Sequence, residues 1–102
     1  MNDVFIMSAN RSAIGGFGGA LKTFYPVDLG TLVAKEAIVR SGYDPKEIEH
    51  AVFGNVIHTE PRDMYVSRVI ALQAGLSKGS AALTVNRLCG SGLQAIISAI
   101  QL

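Results

Sequence analysis

The sequence predicts an α/β fold in which a mostly parallel sheet is covered by helices, with the element order β-α-β-α-β-α. Short apolar segments alternate with segments whose apolar residues recur at helical spacing, the pattern of parallel strands joined by helical crossovers. Hydrophobic residues make up 49% of the chain and charged residues only 17%, as expected when strands are covered on both faces. At 102 residues, the chain suffices for one domain with one modest core.

The first half of the chain begins with a predicted strand and a glycine-rich loop. Residues 3–9 (DVFIMSA) are short and apolar, which is typical of a strand, whereas the glycines of residues 14–20 (IGGFGGA) disfavour both helix and strand. Pro26 fixes the φ angle of a first helical turn, and Gly42 supplies the left-handed residue that commonly ends a helix. The apolar residues expected to face inward from this helix are Leu29, Leu32, Val33 and Ala37.

A second strand is predicted after a single helical turn. Asp44 and Glu47 flank Pro45 in a pattern similar to a small capping box, which predicts one turn of helix over residues 44–47. Residues 51–57 (AVFGNVI) form the second apolar segment and are expected to be a strand. The polar residues that follow are expected to form a loop at the carboxyl end of that strand.

The second half of the chain continues the alternation of helix and strand. Asp63 is predicted to cap the second helix and Gly75 to end it. Residues 81–85 (AALTV) predict the third strand, and residues 93–102 (LQAIISAIQL) predict a third helix. The third helix has no stop signal, so we expect a fragment cut within a larger domain. The residues expected to face inward from the second helix are Val66, Val69, Ile70 and Ala74.

Charge, hydropathy and cysteine content exclude several classes of protein. Nine basic against eight acidic residues, without a basic cluster, argue against nucleic acid as a partner. The start of the chain lacks the pattern of a signal peptide, and no segment approaches the roughly 20 apolar residues of a membrane span. We therefore expect a cytoplasmic protein that binds neither nucleic acid nor membrane. The single cysteine excludes an internal disulfide and a cysteine-rich metal site, so no metal site is predicted.

That single cysteine, Cys89, lies where the third strand gives way to the third helix. In parallel sheets, reacting groups gather beyond the carboxyl ends of the strands. Gly90, Ser91 and Gly92 permit a sharp turn, and the first amides of the helix are expected to be free to stabilise a thiolate. This stabilisation is about 0.3 to 1 kcal/mol, and up to ~2 kcal/mol in buried sites, which leaves a thiol only partly ionised at neutral pH. A base or a cation is therefore also needed to activate the thiol.

Two histidines are the local candidates for that base. His50 precedes the second strand, so we expect it at the edge of the sheet opposite Cys89. His58 follows the same strand, so we expect it at the same edge as Cys89. The alternative interpretation of His58 is a solvated loop residue without a catalytic role.

Two alternatives to a nucleophilic role stay open for this segment. An isolated intracellular cysteine is most often a small apolar residue that fills the core. Residues 90–95 (GSGLQA) also match the G-x-G-x-x-A fingerprint of a dinucleotide-binding module, in which Gly90, Ser91 and Gly92 would approach a pyrophosphate. However, the confirming acidic residue would lie beyond Leu102, and the fingerprint normally follows a first strand rather than a third.

Three motifs of the chain are similar to signatures of one known family. Residues 86–92 (NRLCGSG) resemble an acyl-enzyme active-site motif, which is specific. Residues 11–15 (RSAIG) with 17–19 (FGG), and residues 53–56 (FGNV), resemble two further signatures. The family is the thiolases, and more narrowly the bacterial acetyl-CoA acetyltransferases and β-ketothiolases. The resemblance covers the chain without a gap, and it implies that residues 1–102 are the incomplete N-terminal part of a thiolase N-terminal domain.

The resemblance implies an acyltransferase. Cys89 would take the acyl group of an acyl-CoA as a thioester and pass it to the α-carbon of acetyl-CoA, giving a 3-ketoacyl-CoA, or would catalyse the reverse thiolysis. Acyl-CoA and acetyl-CoA would be the substrates, and no permanently bound cofactor is implied. The family resemblance also implies a homodimer or homotetramer that acts in fatty acid or polyhydroxyalkanoate metabolism.

The resemblance further implies which groups lie elsewhere. Thiolases carry two histidines, a second cysteine and an asparagine of their catalytic machinery in later segments, so these residues alone are expected to be inactive. Residues 60–65 (EPRDMY) depart from the Gln-Asn-Pro-like stretch of many biosynthetic thiolases and look more like broad β-ketothiolases. A narrow specificity for acetoacetyl-CoA is therefore not expected.

Overall fold

A computed structural model of the chain describes residues 2–102. These residues form α-helices, 3-10 helices and a parallel sheet, which confirms the predicted α/β class. No helix within residues 2–102 is long and apolar enough to span a membrane. The α-helices are α1 (Pro26–Ser41), α2 (Val66–Gln73) and α3 (Ser91–Gln101), the strands are β1 (His50–Gly54) and β2 (Ala81–Val85), and the 3-10 helices cover Pro45–Glu47 and Pro61–Tyr65.

The two strands pair in parallel, and α2 forms the crossover between them. His50 lies opposite Ala81 and Gly54 lies opposite Val85, so both strands end at the same edge of the sheet. Helix α3 packs on β1, while α1 packs against α2. The predicted alternation of strand and helix is therefore confirmed from β1 onward, and the bounds predicted for the strand at residues 81–85 are those observed.

The strand predicted over residues 3–9 is wrong, because this segment has no assigned secondary structure. Among the described residues, its backbone forms no hydrogen bond with another backbone segment. Instead, side chains attach the segment to α1: Ser8 Oγ donates to Ala37 O at 2.7 Å, and Asn10 Nδ2 donates to Val33 O at 3.1 Å. An apolar cavity of about 680 Å³ separates residues 4–6 from β1. Apolar character alone does not make a strand when no neighbouring strand completes the ladder.

The ends of α1 are as predicted, but its inward face is not. Gly42 has a left-handed φ of 74° and ends the helix. The buried residues are Val27 and Thr31, whereas Leu32, which was predicted to face inward, is 55% exposed. The reason is the fit against α2, since Gly30 has no Cβ and Ile70 Cδ1 therefore lies directly against the helix backbone. A face of small residues allows the close approach of two helices, which outweighs the hydrophobicity of the neighbouring face.

The inward face of α2 is largely as predicted, with one polar addition. Val66, Ile70 and Ala74 are buried, and Val69 is partly buried against the same cluster. The addition is Ser67, which is 1% exposed. Its hydroxyl donates to Leu83 O at 2.8 Å, and the Phe53 N–H donates to it at 3.1 Å. Ser67 therefore joins α2 to both strands through backbone groups that the helix would otherwise bury without a partner. 

The segment before α2 corrects the prediction that Asp63 is the first cap of that helix. A 3-10 turn over Pro61–Tyr65 precedes α2, and Glu60 is its N-cap, with Asp63 as the third-position partner in a capping box. Asp63 is completely buried. Its Oδ2 accepts hydrogen bonds from Thr59 N and Thr59 Oγ1, both at 2.8 Å, and from Glu60 N at 3.2 Å. The carboxylate thus organises the whole turn that delivers β1 to α2.

The Asp63 carboxylate makes the stability of this turn depend on pH. Burial alone raises its pKa, but the hydrogen bonds from Thr59 and Glu60, with a smaller contribution from the charge of His58, outweigh burial and hold the pKa below its ordinary value of 3.8. A carboxylate with a lowered pKa contributes stability that is complete above its unfolded-state pKa and is lost as the pH falls through the folded-state pKa. We expect the free energy of unfolding to fall as the pH is lowered below about 5, and to fall less steeply in Asp63→Asn. Urea unfolding at a series of pH values checks this, with the exposed Asp3→Asn as control. Equal slopes in the wild type and Asp63→Asn would contradict it.

Gly54 provides a second test of the fold, because α3 begins directly against it. A Cβ added to Gly54 would lie 2.7 Å from both the carbonyl carbon and the Cβ of Ser91. We expect Gly54→Ala to lower the free energy of unfolding by about 1 to 3 kcal/mol, the usual cost of overpacking. Gly92→Ala is the matched control, because a Cβ there meets nothing within 4 Å. Urea denaturation measures both, and equal effects of the two variants would show that the close approach does not matter.

Candidate active site

The candidate site is the turn between β2 and α3, which carries Cys89. Strand β2 ends at Val85 and α3 begins at Ser91, so the helix begins two residues earlier than predicted. Cys89 is a free thiol and is exposed. It follows the carboxyl end of β2 directly, at the edge where β1 also ends. The predicted position of the thiol is confirmed, and the alternative of a core-filling cysteine is wrong.

The residue before the thiol has an unusual backbone conformation. Leu88 has a φ of 47°, and it is the only non-glycine residue with positive φ within residues 2–102. For a residue with a Cβ, the left-handed conformation costs roughly 1 to 2 kcal/mol. The Leu88 side chain is 68% exposed. Packing therefore contributes little to holding this conformation, and hydrogen bonds must do so.

Two polar side chains form those hydrogen bonds. The Leu88 N–H donates to Asn86 Oδ1 at 3.0 Å. On the other side, Ser91 Oγ donates to Leu88 O at 2.6 Å and accepts a hydrogen bond from Arg87 N at 2.9 Å. Both peptide groups that flank the Leu88 Cα are thus tied to a side chain. The backbone direction at Cys89 is fixed by these contacts.

The amides at the start of α3 are only partly as predicted. The Gly90 N–H donates to Arg87 O at 3.0 Å, and the Ser91 N–H donates to Leu88 O at 3.1 Å, so neither is free. The Gly92 and Leu93 N–H groups have no hydrogen-bond acceptor in the part of the chain that the structure describes, and both residues are exposed. The free amides of the helix start are therefore displaced by two residues from the expected position. They remain the positive end of α3.

These contacts also weaken the dinucleotide-binding alternative. In that interpretation the amides of the glycine-rich turn would approach a pyrophosphate. Here the Gly90 and Ser91 amides are already bonded within the turn. The Ser91 side chain is buried beneath it rather than exposed to a ligand.

The histidines lie where their sequence positions predicted, but neither is hydrogen-bonded to the thiol. His50 begins β1, at the edge of the sheet away from Cys89. His58 is exposed in the loop after β1, and its charge acts on the buried carboxylate of Asp63. Within residues 2–102, Cys89 has no hydrogen-bond partner, and no group of three or more His, Cys, Asp or Glu is placed to hold a metal ion.

The sequence did not indicate the structural importance of Leu88 and Ser91. A left-handed leucine has no sequence signal, because the pattern that predicts positive φ is glycine or asparagine. Ser91 had been considered only as a small residue of the turn. A serine three residues after a turn residue, able to donate back to its carbonyl, is the signal that was available.

The chain matches the family described as thiolase, N-terminal domain, over residues 4–102. It is 56% identical over 99 residues to the β-ketothiolase BktB of Cupriavidus necator, which covers 97% of this chain and 25% of that protein. It is 44% identical over 94 residues to an acetyl-CoA acetyltransferase of Clostridioides difficile, covering 92% of this chain and 87% of that sequence.

Solved structures of the same family share the fold. The crystal structure of human mitochondrial 3-ketoacyl-CoA thiolase in complex with CoA has a TM-score of 0.92 at 37% identity, and the match covers 95% of this chain and 25% of that one. The chain thus spans about a quarter of the length of the β-ketothiolase and of the human enzyme. No support for a dinucleotide-binding module comes from these matches. The chain belongs to the thiolase family, and it matches the N-terminal domain of that family.

Proposed function

We propose that the chain is the N-terminal part of a thiolase and that Cys89 is the nucleophile that accepts the acyl group. The observation that carries this proposal is the place of Cys89, an exposed thiol between the left-handed Leu88 and the start of α3. The identity to a β-ketothiolase supports the reaction. The complex of the human thiolase with CoA supports thioesters of CoA as substrates.

In the proposed reaction, the Cys89 thiolate attacks the carbonyl carbon of an acyl-CoA, an S–C bond forms, and the CoA thiolate leaves. The α-carbon of acetyl-CoA then loses a proton and attacks the acyl carbon held on Cys89. A C–C bond forms, the S–C bond to Cys89 breaks, and the thiolate is regenerated with release of a 3-ketoacyl-CoA. Thiolysis follows the reverse course, with CoA as the final acyl acceptor.

The helix start supports the thiolate form but does not suffice to produce it. The free N–H groups of Gly92 and Leu93 form the positive end of α3. Such an interaction contributes about 0.3 to 1 kcal/mol at an exposed site. Since neither His50 nor His58 contacts Cys89 in the described residues, we propose that the base lies in a segment outside this chain.

The remaining properties of the whole protein are also proposals. The identity to BktB and the EPRDMY sequence of residues 60–65 support a broad β-ketothiolase rather than an enzyme restricted to acetoacetyl-CoA. Acyl-CoA and acetyl-CoA would be its substrates, without a permanently bound cofactor. We propose that it works in the cytoplasm as a homodimer or homotetramer.

Acylation of Cys89 is the test of the proposed nucleophile. The full-length protein is mixed with acetyl-CoA, quenched and digested, and the peptide that contains residue 89 is weighed by mass spectrometry. We expect one acetyl group on Cys89 in the wild type and none in Cys89→Ser, with turnover reduced by roughly a thousandfold or more. Circular dichroism and urea unfolding serve as the control, because an exposed Cys→Ser exchange should leave the fold intact. Near-normal turnover of Cys89→Ser would overturn the proposal.

The 102 residues on their own are expected to be inactive and to self-associate. Large apolar side chains on α3 are exposed, including Leu93 at 64% and Ile96 at 54%. Exposed apolar patches of this kind favour association. Size-exclusion chromatography and a thiolysis assay of the isolated chain measure both properties. A soluble monomer with thiolase activity would contradict this expectation.

A further inference from the structure

We propose that Ser91 is a positioning residue for Cys89, because its hydroxyl holds Leu88 in the left-handed conformation and thereby sets the direction in which the Cys89 thiol is presented. This inference rests on the proposed role of Cys89 as nucleophile. Ser91 itself takes no part in bond making or proton transfer.

The first argument is the set of groups that the Ser91 hydroxyl contacts. It donates to the Leu88 carbonyl at 2.6 Å and accepts from the Arg87 N–H at 2.9 Å. These two groups lie on either side of the residue whose φ is 47°. A single hydroxyl therefore bridges the strained residue, and rotation of Leu88 to a negative φ would break at least one of the two hydrogen bonds.

The second argument is that Ser91 is anchored while the residues it holds are exposed. Ser91 is 5% exposed, and its backbone lies so close to β1 that a Cβ on Gly54 would be 2.7 Å from it. Leu88 and Cys89, by contrast, are exposed and make no packing contact with the core. Ser91 thus transmits the position of the sheet to a turn that would otherwise be free to relax.

The third argument separates this role from ordinary helix capping. A capping serine accepts a hydrogen bond from the amide of the second or third helical residue. The N-cap position of α3 is occupied by Gly90, and no side chain makes a capping hydrogen bond there. The Ser91 hydroxyl points back to residues 87 and 88, and the Gly92 and Leu93 amides stay free. The serine therefore serves the turn and not the helix.

A double-mutant cycle in the full-length protein tests the proposal. The variants are Ser91→Ala, Leu88→Asn and the double substitution, and the readout is the single-turnover rate at which acetyl-CoA acetylates Cys89. Asparagine adopts the left-handed conformation more readily than leucine. A residue that prefers this conformation by itself should not need the Ser91 hydroxyl.

We expect Ser91→Ala to slow acetylation about tenfold, which corresponds to ~1.4 kcal/mol. Leu88→Asn alone should stay within about twofold of the wild type, and in the Leu88→Asn background Ser91→Ala should cost less than about threefold. Ser98→Ala, on the same helix, is the matched control and should leave the rate unchanged. If Ser91→Ala does not fold in urea titrations, Asn86→Ala removes the other hydrogen bond to Leu88 and should show the same rescue by Leu88→Asn.

The outcomes separate the two proposals. A wild-type rate in Ser91→Ala would overturn the positioning role alone, and so would an equal loss in the Leu88 wild-type and Leu88→Asn backgrounds. If the wild type itself shows no acetyl group on Cys89, the nucleophile proposal fails and the positioning role fails with it. A loss in Ser91→Ala that Leu88→Asn rescues supports both.

Discussion

The close approach of Gly54 to Ser91 is the constraint on which the rest of the site depends. It brings the start of α3 against the end of β1, leaving no room for a Cβ between them. Because β1 and β2 run parallel and end together, this contact also fixes where the turn after β2 must lie. The thiol reaches the edge of the sheet as a consequence of backbone packing and not of any contact made by its own side chain.

The energetics of the turn follow from that anchor. A left-handed Leu88 costs roughly 1 to 2 kcal/mol, and each hydrogen bond that holds it contributes about 0.5 to 1.5 kcal/mol net. The hydroxyl of Ser91 and the amide oxygen of Asn86 together suffice to offset the strain. Strain that is maintained by surrounding contacts is common where a reactive group has to be held in one orientation. In this protein the strained residue stands immediately before the thiol.

Local signals in the sequence predicted much of the fold. Pro26 and Gly42 marked α1 because both act through the backbone of their own turn. The sequence could not predict which face of α1 is buried, since that choice depends on the fit of Ile70 over Gly30 across two helices. Residues 3–9 were predicted to be a strand because they are apolar, but strand formation requires a partner that a one-dimensional pattern does not specify.

The candidate site shows the same division. The position of Cys89 between strand and helix was predictable, and so were the opposite placements of His50 and His58, because parallel topology determines which ends share an edge. The left-handed Leu88 was not predictable, because a leucine adopts that conformation only when tertiary contacts impose it. The amides that stay free were misplaced by two residues for the same reason, since the turn itself uses the first two.

The most direct test of this account is a crystal structure of the full-length Ser91→Ala variant at a resolution that defines the peptide planes of residues 87–90. The account predicts that Leu88 leaves the left-handed region and that the Cys89 sulfur moves away from its wild-type position while β1 and α3 stay in place. A Leu88 φ that remains near the wild-type 47°, with an unmoved sulfur, would contradict it.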